Sequence, residues 1–141
     1  MTVHIRIVEA PGPAERDAVL GPLMQANTDA GYPSDMAPVA VLLEDEAGRT
    51  VGGLWGKTVY GWLFVEYLVV PEALRGRDLG TELMGHAEAI AVARGCAGAW
   101  LTTFTFQARS FYEKLGFEVF GELGSSPGAE TRLFLRKRFA S

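Results

Sequence analysis

The stretch Trp62–Gly95, WLFVEYLVVPEALRGRDLGTELMGHAEAIAVARG, decides how this chain folds. It opens with an apolar and aromatic run from Trp62 to Val70, rich in β-formers and stopped by Pro71, which reads as a buried central strand. A turn carrying Arg75, Gly76, Arg77 and Gly80 follows. From Leu79 the period changes: Leu79, Leu83, Ala87, Ile90 and Ala91 recur at helical spacing, and Gly95 closes the segment. Strand, glycine-bearing turn and helix in that order bring several free backbone N–H groups and the positive end of a helix dipole to one spot, where a phosphate or pyrophosphate can sit. Arg75 and Arg77 add full positive charge there.

Arg75-Gly76-Arg77-Asp78-Leu79-Gly80 resembles the acyl-CoA-binding motif of the GNAT superfamily of N-acetyltransferases, Arg/Gln-x-x-Gly-x-Gly/Ala between a strand and a helix. Asp78 stands where that motif has its first glycine. Downstream, Phe111-Tyr112-Glu113-Lys114-Leu115-Gly116-Phe117 resembles the family's C-terminal motif, about thirty residues on with strand-like sequence between. The resemblance runs from the N-terminal strand to Arg138. It implies an α/β (α+β) fold, a mixed and mostly antiparallel sheet flanked by helices, and transfer of an acetyl group from acetyl-CoA to a primary amine.

The rest of the chain is compatible with that expectation. Its 141 residues suit a single domain spanning 1–141, 48% of them apolar, and no stretch is long or apolar enough for a membrane-spanning helix. The start, MTVHIRIVEAP, lacks the basic flank, apolar run and cleavage site of a signal peptide, so a cytoplasmic protein is expected. One cysteine, Cys96, excludes an internal disulfide and an all-cysteine metal cluster, and neither His4 nor His86 has partners at metal-ligand spacing, so no metal is expected. A net charge of −4 argues against nucleic acid as a partner. It is compatible with a cationic acceptor. A homodimer is left open.

Val3–Val8 alternates apolar and polar residues and reads as a strand, and residues 14–30 as a helix whose apolar pattern Gly21-Pro22 interrupts. Gly31–Asp35 reads as a loop. In the family this neighbourhood helps form the acceptor pocket, so the resemblance makes Tyr32 and Asp35 candidate substrate contacts; simple turn residues are the alternative. Residues 39–44 and 50–60 read as a hairpin. The Gly-Lys-Thr at 56–58 has neither the spacing nor the following helix of a phosphate-binding P-loop. Gly52 and Gly53 are expected to leave room near a ligand. Beyond the central helix, residues 97–106, 117–122 and 131–139 read as strands, and 107–115 as a short helix.

The resemblance also assigns roles. Backbone groups of Leu68, Val69 and Val70 pair with the pantetheine arm, as an added strand would. Arg75, Gly76, Arg77, Asp78, Leu79, Gly80 and Thr81 hold the pyrophosphate. Glu66 is the one ionisable residue in an apolar run, and a poorly solvated carboxylate binds protons tightly, which makes it a general-base candidate. It also stands nine residues before Arg75, where several related acetyltransferases carry a catalytic glutamate. Facing solvent or pairing with an arginine in the sheet is the alternative. Tyr112 matches the family's general-acid tyrosine; a core aromatic is the alternative. The asparagine that many relatives carry at the position of Thr105 is absent, since the only asparagine is Asn27. Asp tolerates left-handed backbone, so Asp78 can keep the loop's shape, although an inward-pointing carboxylate would repel a pyrophosphate. A non-catalytic acyl-CoA-binding or sensing module is the competing reading.

Overall fold

A computed structural model describes residues 1–105, 108–124 and 130–140. They fall into two compact units, Met1–Ser34 and Asp35–Ser141.

The first unit is built on helix α1, Pro13–Asp29. Pro13 occupies the first helical position, where the N–H it lacks would have had no partner. The Glu15 carboxylate reaches back to accept the Gly12 N–H at 2.7 Å. The helix runs unbroken through Pro22, so the interruption in the apolar pattern does not end it. The strand expected at Val3–Val8 is not formed: residues 1–8 belong to no helix or strand, and Ile5 and Ile7 are exposed. Alternation marks a segment that can pair, but a strand exists only where a ladder partner meets it.

The second unit holds a six-stranded sheet in the order β1-β2-β3-β4-β6-β5. Its strands are β1 Ala37–Glu44, β2 Thr50–Val59, β3 Trp62–Val69, β4 Gly98–Phe104, β5 Glu118–Leu123 and β6 Arg132–Arg138. Only β3 and β4 pair in parallel; the other ladders are antiparallel. The parallel pair requires a crossover, which helix α2, Leu79–Ala93, supplies. The short helix α3, Arg109–Lys114, follows β4.

Helix α2 lies across one face of the sheet and buries Leu83, Met84, Ala87 and Ala91 against Leu54, Leu63, Val65, Leu101, Leu133 and Leu135. Two polar contacts fix its position. The Arg94 guanidinium, just past the helix end, donates to Ala37 O (3.2 Å), Pro38 O (3.1 Å) and Thr58 Oγ1 (3.0 Å). Lys137 on β6 pairs with Glu88 at 2.8 Å.

The glycines of β2 answer to the sheet itself. A Cβ on Gly52 would stand 2.6 Å from Val69 O, and one on Gly53 2.5 Å from Val41 O. The space expected beside them for a ligand is filled by the backbone of neighbouring strands. Gly56 is as confined, with Phe64 O 2.3 Å from an added Cβ, whereas Gly85 on α2 has nothing within 4 Å. Gly56→Ala is therefore expected to lower stability by at least about 2 kcal/mol. Gly85→Ala should raise it by about 0.5–1 kcal/mol, since alanine restricts the unfolded chain and favours helix. Denaturant unfolding of the two variants checks both, and shifts of the same sign would contradict this packing.

Candidate active site

The site begins where the sheet comes apart. The β3–β4 ladder covers Trp62↔Gly98 to Val65↔Leu101 and then stops. Each strand goes on with its other neighbour, β3 pairing with β2 as far as Val69 and β4 with β6 as far as Phe104. Between the diverging ends, one edge of Glu66–Val69 is left without a strand partner. The divergence coincides with a bulge: Trp55 pairs with Tyr67 and Gly56 with Val65, so Glu66 is the extra residue of β3. A bulge bends its strand and increases local twist, which re-aims the residues beyond it.

Beyond β3 the chain makes a single 3-10 turn, Glu72–Leu74, and enters α2 through Arg75–Asp78. Gly76 has φ +85° and Asp78 has φ 58° and ψ 22°, so the aspartate adopts the left-handed conformation that the sequence anticipates. Its side chain makes no capping bond. The first rung of α2 joins Glu82 N–H to Asp78 O at 3.1 Å, which leaves the amides of Leu79, Gly80 and Thr81 without an intrahelical acceptor. Arg75 Nε donates to Val70 O at 3.2 Å, tying the arginine back to the end of β3. At Gly80 an added Cβ would meet the Phe111 ring at 3.1 Å, so the motif's last glycine lets α2 begin directly against α3.

Helix α3 brings Tyr112 to the same place. Its ring packs edge-on against Phe111 (5.0 Å between centroids) and Phe117 (5.9 Å). Burial pushes the Tyr112 phenol above its ordinary value of 10.0, so it stays protonated across the neutral range.

These parts enclose a cleft of about 1190 Å³. Glu66, Leu68, Val69, Val70, Arg75, Gly76, Asp78, Leu79, Gly80, Thr81 and Tyr112 all line it. Arg77 is exposed and does not, and Asp35, also exposed, lies outside the lining. Tyr32 belongs to the first unit, where its N–H donates to Asn27 O at 2.8 Å. Glu66 is partly buried and pairs with Lys57 on β2, Nζ to Oε1 3.4 Å, rather than with an arginine.

Several lining residues escaped the sequence reading, among them Thr102, Thr103, Phe111 and Leu74. Phe111 lay inside a recognised motif, whereas Thr102 and Thr103 carry no local signal, because only the divergence of β4 from β3 brings them to the cleft. The Lys57–Glu66 pair was hidden by the bulge, which shifts the hairpin register between them. Thr105 donates to Glu130 Oε2 at 2.8 Å, so its hydroxyl is engaged with the last strand connection. The neighbouring Phe106 and Gln107, expected in a strand and a helix, lie outside the described residues, as do residues 125–129 between the last two expected strands. His86 is exposed, and burial raises the Cys96 thiol against the pull of Arg94, which suits a packing role. No group of three or more potential metal ligands occurs among the described residues.

The chain matches the Acetyltransferase (GNAT) family over residues 7–117. It is 36% identical over 122 residues to Acetyltransferase Atu2258 of Agrobacterium fabrum, covering 86% of this chain and 89% of that one. It is 37% identical over 93 residues to blasticidin-S acetyltransferase of Streptomyces morookaense, covering 65% and 68% respectively. A crystal structure of an inferred acetyltransferase from Agrobacterium tumefaciens superposes with a TM-score of 0.89 at 32% identity, covering 97% of this chain and 100% of that one. The two motifs read from the sequence thus stand at the splayed strands and helix terminus of a chain that the family matches over residues 7–117, and this protein belongs to the GNAT family of acetyltransferases.

Proposed function

We propose that this acetyltransferase moves the acetyl group of acetyl-CoA to a primary amine of a small molecule or peptide, by direct attack within a ternary complex. One observation carries the reading: the unpaired edge of β3, the free amides of α2, Glu66 and Tyr112 all line one cleft. A chain of amides such as pantetheine can extend β3 along residues 68–70, with its pyrophosphate at Arg75–Thr81. Backbone amides of the same strand segment stabilise the oxyanion that forms as the amine attacks the thioester carbonyl. Glu66, directly or through water, takes the proton that the ammonium must lose. Collapse of the tetrahedral intermediate breaks the C–S bond, and the Tyr112 hydroxyl protonates the departing thiolate. The raised proton affinity of Tyr112 supports this, since a general acid has to hold its proton at neutral pH.

The family match runs across both units, which supports one functional domain over the whole chain. Tyr32 and Asp35 remain our assignments for the acceptor side, and Arg77 for the outer phosphates. The likeness to blasticidin-S acetyltransferase supports a small-molecule amine and makes blasticidin S the first acceptor to try. No helix among the described residues is long and apolar enough to cross a membrane. With a single free cysteine, which suits a reducing compartment, we assign the reaction to the cytoplasm.

Acetyl-CoA and desulfo-CoA should raise the melting temperature and ATP should not, because a ligand present at 100 times its Kd stabilises the native state by about 2.7 kcal/mol. Thiol release in the presence of blasticidin S and a panel of amines then measures transfer. A shift without transfer to any amine would favour the sensing module, and no shift at saturation would remove the acetyl-CoA assignment.

Tyr112→Phe should lower kcat roughly 100-fold or more while leaving the Kd of acetyl-CoA nearly unchanged. Unaltered turnover would take Tyr112 out of the mechanism. Because its folded proton affinity exceeds the unfolded one, its contribution to stability is whole below pH 10.0 and is lost as pH rises through the folded value. Ultraviolet titration of tyrosinate should therefore lose its most alkaline component in the same variant.

Asp78→Gly removes a carboxylate from the cleft while preserving the left-handed backbone, so acetyl-CoA should bind as tightly or more tightly. A tenfold weaker Kd, about 1.4 kcal/mol, would mean that the aspartate itself holds the cofactor.

A further inference from the structure

The face of the sheet opposite α2 carries a second concavity, of about 420 Å³, that shares no lining residue with the cleft. It is lined by Trp62, Trp100, Phe120, Phe134, Arg136 and Arg138, contributed by four strands. Strand alternation puts them there: Leu63, Ala99, Leu101, Leu133 and Leu135 are buried in the core, and the residues between them point the other way.

The walls are held in place. The Trp62 ring lies over Gly98, where an added Cβ would meet it at 2.7 Å. Trp100 stacks on Phe64 with centroids 4.1 Å apart and an interplanar angle of 16°. Phe120 sits at a bulge of β5, between the pairs Val119↔Leu135 and Gly121↔Phe134, and its ring meets that of Phe134 edge-on at 6.2 Å. It is 45% exposed.

Two guanidiniums complete the rim. Arg138 stands 5.3 Å from the centroid of Trp62 and forms no ion pair among the described residues. Arg136 stands 5.2 Å from Phe120 and pairs with Glu118 at 3.1 Å, but both side chains of that pair are more than half exposed, so solvent weakens it. The lining itself contains no acidic residue.

We propose that this concavity is a second ligand site, taking a flat aromatic anion whose ring lies among Trp62, Trp100, Phe120 and Phe134 and whose negative group meets Arg136 and Arg138. The volume falls within the range of about 300–1,000 Å³ usual for small-molecule sites, and apolar walls with a few convergent polar groups are their usual build. Charge selects the anion over a second copy of the chain. A two-fold pairing of this face on itself would oppose the arginines of the two copies, with Glu118 as the only carboxylate paired with them among the described residues.

The test compares naphthalene-2-carboxylate with its neutral counterpart 2-naphthylmethanol by isothermal titration calorimetry. The carboxylate should bind at least about tenfold more tightly, as expected for charge-assisted hydrogen bonds to guanidinium. Arg136→Gln with Arg138→Gln should abolish that preference and leave the alcohol's affinity in place. The single Arg138→Lys variant, which keeps the charge, should retain most of the preference. Equal affinities in the wild type, or no binding of either probe, would overturn the proposal. A preference that survives in the double variant would also overturn it and assign the anion to Arg75 in the cleft. Sedimentation velocity supplies a further check: a dimer that Phe120→Asp dissociates would give the face to a second copy instead.

Discussion

The site depends on the early end of one ladder. After four residue pairs the parallel β3–β4 pairing stops, although both strands continue. Buried backbone groups normally find partners, so a strand edge left open inside a fold is a place for something else to bind. Had the ladder run on to Val69, the same N–H and C=O groups would have been consumed by β4. The bulge at Glu66 provides the local bend, and the outer ladders hold each diverging strand in place.

Around that opening the fold supplies electrostatics with few charged side chains. Helix α2 contributes oriented amides at its start, while its far end is clamped to β1 by Arg94 and its flank to β6 by Lys137. A helix held at its far end and along its flank presents its N-terminus without further reorganisation. Asp78 shows how the loop tolerates a departure from the family motif: the backbone keeps the left-handed turn, and the cost is a carboxylate in the cleft. Glu66 has a resident counter-ion in Lys57, so its carboxylate is already paired where it lines the cleft.

The two faces of the sheet have different work. One is sealed by α2 with aliphatic side chains, which gives the cleft a rigid floor. The other displays aromatic rings and arginines that stack on one another instead of being covered by a helix of this unit. The same alternation along β3, β4 and β6 produces both faces.

Strong local signals made much of this legible in the sequence. The change of period after Pro71 located β3, the turn and α2, and the helix expected over residues 14–30 formed as α1. Both motifs, and most residues named for the cleft, could be read because each is contiguous along the chain. The alternating Val3–Val8 misled, since alternation states a preference that only a partner strand can realise. Gly52 and Gly53 suggested space for a ligand, and the true neighbour was another strand's carbonyl. Lys57 beside Glu66, the place of Thr102 and Thr103 in the cleft lining, and the aromatic concavity were not legible, because each depends on how strands distant in sequence are set against one another. Sequence by itself determined which segments could be strands and helices and where an anion could meet a helix terminus. Tertiary structure alone decided where the ladder ends, because a strand edge is left open only by the placement of every other strand in the sheet.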